Sequence, residues 1–456
     1  MTHSNHTDVI LHTFDWPYAM IAERAGEIHQ AGYKSVLVSP PMKSLKRNQG
    51  TQWWQRYQPQ DYRIIDNQLG DTQDFKQMLA QLALYDISVY ADVVFNHMAN
   101  ESSSRSDLNY PSADDLQQYR HDKEYYQSIR LFGDLSKPLF TEQDFVEAFG
   151  IQDWQDKWQV QNGRITGGQA DPGLPTLRDN DHVVAAQRAY LTALKKLGVK
   201  GFRIDAAKHM TLEHLKKVWS DDITRDVHIF GEIITDGGSS KAEYELFLQP
   251  YLENTELGAY DFPLFQTLFD ALQPQGSLKT LVDPYCFGQA LSHQRAITFA
   301  ITHDIPNNDV FRDLVMDEAL EWLAYSYILG RDGGVPLIYT DLDTSGIQDQ
   351  KKQPRWLSSW RDPRMTARLE FHNRMHGLAM KTIEAGDDLL VLGRYEAETE
   401  TLLGVVVINK SQREQTVELL LTQPVVDLIS GQRYRPKDEQ VTLSVAGLSS
   451  LMLVNG

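Results

Sequence analysis

Short, almost wholly apolar runs alternate with helical patterns over residues 9–379 of the chain. The runs are 9–14, 35–39, 89–95, 200–205, 227–233, 259–262, 296–301 and 335–339. Runs this short and continuous suit strands covered on both faces, as in a parallel sheet. Between them, apolar positions recur at helical spacing over 18–31, 72–84, 182–197, 318–329 and 364–379, which predicts helices. Repeated strand-then-helix units of this kind predict an α/β fold, a (β/α)8 TIM barrel.

The rhythm breaks in two places. Residues 98–181 are polar and without sustained periodicity, with Ser102-Ser103-Ser104 near the start and Gly167-Gly168 near the end. So long an irregular stretch predicts an inserted small domain after strand three. From about Asp388 onwards, β-rich runs at 389–392, 402–408, 416–421, 425–429 and 449–454 are separated by turn residues. They predict a C-terminal antiparallel β-sandwich. The expected organisation is barrel 1–97, insert 98–181, barrel 182–384 and sandwich 385–456.

Composition narrows the class. A length of 456 residues accommodates a large enzyme domain with smaller units attached. The net charge of −18 argues against nucleic acid or an anionic membrane as partner. No window approaches the ~20 apolar residues of a membrane span. Residues 1–8 lack the apolar core of a signal peptide, so the expectation is a cytoplasmic monomer. Secretion, with the signal peptide absent from this chain, is the alternative. Cys286 is the only cysteine, which excludes an intrachain disulfide and a cysteine metal cluster.

The chemistry gathers where barrels of this type place it, at the C-terminal ends of the strands. Strand three brings Asp92, Asn96 and His97, and strand four Arg203, Asp205, Lys208 and His209. Strands five, six and seven bring Glu232, Asp261, and His303 with Asp304. Asp205 and Glu232, on neighbouring parallel strands, would face each other across one rim, a geometry suited to glycoside hydrolysis. Taken alone, the pair reads first as salt-bridge partners of Arg203 and Lys208. Arg203, on the same strand face as Asp205, is expected to hold that carboxyl low, while Phe230 and a neighbouring carboxylate raise Glu232. His97 and His303 are expected to hydrogen-bond sugar hydroxyls, and Tyr57 with Trp53 or Trp54 to offer flat faces to pyranose rings. Ordinary loop packing is the competing reading of the tryptophans.

These residues fall in motifs. Asp92-Val93-Val94-Phe95-Asn96-His97, Gly201-Phe202-Arg203-Ile204-Asp205-Ala206-Ala207-Lys208-His209, Gly231-Glu232 and His303-Asp304 resemble, in order, the four conserved regions of the α-amylase family. Trp53-Trp54-Gln55-Arg56-Tyr57-Gln58-Pro59, Asp261-Phe262-Pro263 and Gly334-Val335-Pro336-Leu337-Ile338-Tyr339 resemble further segments of that family. The resemblance implies Asp205 as nucleophile, Glu232 as acid and base, and Asp304 as the group that holds sugar hydroxyls and distorts the ring. It puts Lys208 and His209 towards the leaving-group side. It also implies a calcium ion near Asn96 and the backbone of His209. Thr176 stands where an aspartate ligand is usual, which leaves calcium open, with Asp171, Asp179 or Asp181 as substitutes. Thr302 replaces an asparagine of chloride-activated members, so no chloride is expected, and no organic cofactor.

The implied activity is endo-hydrolysis of α-1,4-glucosidic bonds in starch, glycogen or maltooligosaccharides. The alternatives are an exo-acting or 4-α-glucanotransferase member, a non-catalytic carbohydrate-binding homologue, or a metal enzyme using Asp92, Asp205, Glu232 and Asp304 as ligands.

Overall fold

The computed structural model describes residues 9–47 and 52–456; the polar stretch 1–8 lies outside the described residues. Eight parallel strands close into a barrel in sequence order. They are β1 (Ile10–Thr13), β2 (Ser35–Val38), β3 (Ser88–Val93), β4 (Gly201–Ile204), β5 (His228–Gly231), β6 (Gly258–Tyr260), β7 (Ala296–Phe299) and β8 (Val335–Thr340). Closure is made by β8 on β1, with Ile10 opposite Leu337 and Thr13 opposite Thr340. The continuous apolar runs are what this architecture requires, since helices cover the strands outside and side chains fill the barrel inside.

Several strands stop earlier than their apolar runs. β3 ends at Val93, and the next residues turn out of the sheet to bring Asn96 and His97 over the barrel mouth. Local signals mark the helix ends. Asp71 and Asp74 form a reciprocal capping box at the start of Thr72–Ala83. Asn180 caps Asp181–Leu197, which Gly198 ends in the left-handed conformation at φ 114°. The single helix predicted over 18–31 is two, Tyr18–Glu23 and Ala25–Ala31, with a break at Arg24.

The insert is less irregular than its sequence suggested. It carries the helices Ala113–His121, Lys123–Ile129 and Lys157–Asn162. Their low apolar content hid them, because each buries only one or two side chains.

The C-terminal unit begins at Ala379 rather than 385. The last barrel helix, Pro363–Met375, ends before Gly377 at φ 79°, and the first strand of the next unit follows directly. That unit has a six-stranded sheet facing a two-stranded one, Gln415–Leu420 paired with Gln440–Val445. Val391, Val405, Val407, Val417, Leu419 and Leu443 fill the space between. Arg394 joins it to the barrel: its guanidinium donates to the carbonyls of Gly330, Arg331, Met375 and Leu378 at 2.7–3.0 Å. One cation thus satisfies the carbonyl ends of two helices. Among the described residues no helix is long and apolar enough to cross a membrane.

Candidate active site

Register builds the site. Asp92 on β3 lies opposite Arg203 on β4, and Arg203 opposite Phe230 on β5, so residues just past these strands share one level. Arg203 is wholly buried. Its Nη1 donates to both oxygens of Asp92, at 2.9 and 2.8 Å, and to Asp205 Oδ1 at 2.9 Å. Its Nη2 donates to Glu232 Oε1. The other oxygen of Glu232 accepts from the backbone N–H of Ala206 at 3.0 Å. Ala206 is in the left-handed region, φ 48°, which an alanine adopts only at a cost of about 1 kcal/mol or more. The bend next to Asp205 is what aims that N–H at Glu232.

From β7, His303 lies between two rings. Phe14 stacks on it at 4.7 Å and Tyr57 at 5.3 Å, and its Nε2 is 3.4 Å from Asp304 Oδ2. Tyr57 donates its hydroxyl to Asp92 Oδ2 at 2.9 Å. The turn Trp53–Tyr57 is pinned by a two-pronged bond from Arg56 to Asp15 at the end of β1.

Three carboxylates thus bond one guanidinium, and a fourth, Asp304, stands beside Glu232. Burial raises all of them, against the pull of Arg203. Glu232 is pushed up to about 8 and Asp92 to about 6. Asp304 is raised, and a hydrogen bond between the Glu232 and Asp304 carboxyls adds to the rise on Glu232. Such a bond needs a proton, and its opposite effects, raising Glu232 and lowering Asp304, favour Glu232 as the holder. Asp205 is also raised, first by burial and then by Glu232, Asp92 and Asp304, with Arg203 opposing. This corrects the expectation of a low Asp205: Arg203 is divided among three acids and cannot outweigh burial at each. Desolvation keeps His303 and His97 neutral, the latter pushed down to about 4.

Other expectations also change. His97 has both ring nitrogens engaged, Nε2 donating to the Tyr57 carbonyl at 3.0 Å and Nδ1 accepting from Asn96 at 3.2 Å. It holds the aromatic turn rather than offering a bond to a sugar. Tyr57 is only 9% exposed, with one face lost to His303. Trp53 packs edge-on against Tyr57 and His303, and Trp54 is exposed. Lys208 is drawn away by Glu243, at 3.1 Å, and by the Ile234 carbonyl. His209 donates to the Val160 carbonyl of the insert at 2.9 Å. Asp261 stands apart from the cluster: it caps helix Phe262–Leu272, accepting from the N–H groups of Leu264 and Leu291.

The residues around Asn96 do not fit calcium. Thr176 donates its hydroxyl to the Gly163 carbonyl at 3.0 Å, and the Asn96 backbone carbonyl accepts from the Leu177 N–H at 2.9 Å. The small cavity beside them, ≈ 190 Å³, has Asp179 as its one lining carboxylate, and Lys217 pairs with that at 3.4 Å. Asp171 is bonded to Asn100 and Gly173 instead. Among the described residues no three acidic, histidine or cysteine side chains are grouped to hold a metal. A hard dication needs more carboxylate charge than this.

Sequence reasoning missed Ala206, whose strain is invisible in a motif. It also missed Tyr260, whose ring lies 5.7 Å from the Arg203 guanidinium, and His12, edge-on to His303 at 5.4 Å. Both lie inside the barrel, and the inward period of β1 and β6 was the signal that could have found them.

A closed parallel barrel with paired, proton-sharing carboxylates at its C-terminal mouth has the equipment of a glycoside hydrolase. The family model for the α-amylase catalytic domain matches residues 20–253. An α-amylase of Aeromonas hydrophila is 47% identical over 410 residues, covering 90% of this chain and 86% of that protein. The chain therefore belongs to the α-amylase family. Its fold is similar to that of α-amylase I from Eisenia fetida solved with maltohexaose (TM-score 0.77, 21% identity, 98% and 97% of the two chains). It is also similar to a γ-CGTase from alkalophilic Bacillus clarkii (TM-score 0.72, 18% identity, 98% and 70%).

Proposed function

We propose that this chain is an endo-acting, retaining α-amylase that cleaves α-1,4-glucosidic bonds of starch, glycogen and maltooligosaccharides. The observation that carries the reading is the bridging of Asp205 and Glu232 by two nitrogens of one guanidinium. Carboxylates bonded to a single planar group stand close together, as double displacement requires at about 5 Å; an inverting enzyme needs room for a water between them.

Asp205 accepts from Arg203 through Oδ1, and its Oδ2 attacks the anomeric carbon. As positive charge develops on the sugar, the Asp205 anion is stabilised where burial alone disfavoured it. Glu232, protonated at neutral pH, gives its proton to the departing glycosidic oxygen. It then takes a proton from the water that releases the glycosyl group from Asp205. Arg203 holds both groups in place throughout, and Asp304 receives the hydrogen bond of Glu232 until substrate replaces it. In this reading catalysis needs neither calcium nor chloride; the Thr176 hydroxyl, which stands where a calcium-binding aspartate is usual, is bonded to the Gly163 carbonyl within the insert.

Digestion of soluble starch tests this. Viscosity should fall well before reducing ends accumulate. Redistribution of chain lengths without new reducing ends would assign the chain to glucan transfer instead.

A further inference from the structure

Helix Lys157–Asn162 of the insert is fastened to the segment that follows Asp205. Its Val160 carbonyl accepts from His209 at 2.9 Å, and Gln161 donates to the Met210 carbonyl at 3.2 Å. Val160 is fully buried, but Trp158, two residues earlier, turns outward and is 63% exposed. Its indole lies parallel to the Phe149 ring, with centroids 5.3 Å apart and planes within 3°. The Asp156 carboxylate caps the helix on the Trp158 N–H at 3.0 Å, which sets where the ring is carried. Trp154, 47% exposed, stands edge-on to His209 at 5.8 Å.

We propose that the Trp158–Phe149 pair is a sugar-stacking platform outside the cleft. It holds a more distant stretch of the α-glucan chain that lies between Asp205 and Glu232. The proposal rests on the α-glucan reading above. Pyranose rings present apolar C–H faces that match flat, uncharged aromatic surfaces. A protein partner would need roughly 800 Å² on each side, whereas two rings supply at most a few hundred. The Asp156 cap on the Trp158 N–H and the stacking on Phe149 hold the indole in place, which lowers the ordering entropy lost on binding a sugar. Its attachment through His209 and Met210 ties it to the segment that follows the nucleophile.

The test compares the full chain with Trp158→Ala on amylose and on maltotriose. The ratio of kcat/KM for amylose to that for maltotriose should fall by roughly 2- to 12-fold in the variant, the worth of one aromatic contact. The companion measurement is mobility in an amylopectin-containing gel in the Glu232→Gln background, where added Trp158→Ala should relieve retardation. An unchanged ratio with unchanged retardation overturns the platform. A loss equal on both substrates overturns it too, since it reports damage to the cleft. Failure of the wild-type chain to cleave amylose would overturn the functional reading instead, and gel retardation would still decide whether Trp158 binds glucan.

Discussion

Replacing Glu232 with Gln separates what this residue does for catalysis from what it costs the fold. Its carboxyl is raised from 4.5 to about 8 by burial, so the native protein holds a proton there that the unfolded chain has released. Between those two values the folded state binds more protons than the unfolded one, and stability falls as pH rises across the window. A shift of this size corresponds to at most about 5 kcal/mol, and sharing of protons with Asp304 and Asp205 brings the expectation to about 3 kcal/mol. Gln keeps the shape and never ionises, so the variant escapes this cost. At pH 5.5 wild type and Glu232→Gln should melt within about a degree of each other. At pH 9 the variant should melt higher by roughly 3 °C, given an unfolding entropy near 2.1 cal/mol/K per residue over 456 residues. Scanning calorimetry at the two pH values reads the difference directly. Activity should fall by about 100- to 10,000-fold with the loss of the acid. A melting difference that is the same at both pH values, or a variant less stable at pH 9, would refute the account of a protonated, buried Glu232.

Arg203→Met leaves buried carboxylates uncompensated and should cost about 3–5 kcal/mol in denaturant unfolding at pH 8, and much less at pH 5, where the acids are protonated. Ala206→Gly tolerates φ 48° and should keep most activity; Ala206→Val, strained there, should lower kcat and shift the alkaline limb of the pH profile as Glu232 loses its N–H. Chelator should leave the melting temperature unchanged. Thr176→Val should lower stability by about 1–3 kcal/mol through the stranded Gly163 carbonyl, measurable by urea unfolding.

Most of the barrel could be read in the sequence because each strand is a local apolar run and each chemical residue sits at a strand end. Partners distant in sequence could not be read this way. His97 looked free for a ligand, and its bond to the Tyr57 carbonyl depends on a turn forty residues earlier. Asp205 looked low because its near neighbour Arg203 was visible, whereas the competing claims of Asp92 and Glu232 on that guanidinium arise only when β3, β4 and β5 pair. Asp261 was misjudged for a different reason. Its sequence, Asp261-Phe262-Pro263, is a helix start, with a capping aspartate followed by proline in the first turn, and that reading was available. The insert hid Trp154 and Trp158 in a polar context, though two tryptophans four residues apart are unusual in a stretch read as irregular.

The central claim is that Asp205 becomes covalently bonded to sugar while Glu232 moves the proton. A 5-fluoro-α-glycosyl fluoride, which slows the second step, should trap that state, and peptide mapping by mass spectrometry should locate it. A single glycosyl adduct on the peptide carrying Asp205 is the predicted result. An adduct on Asp92 or Asp304, or turnover with inverted product and no adduct, would contradict the account.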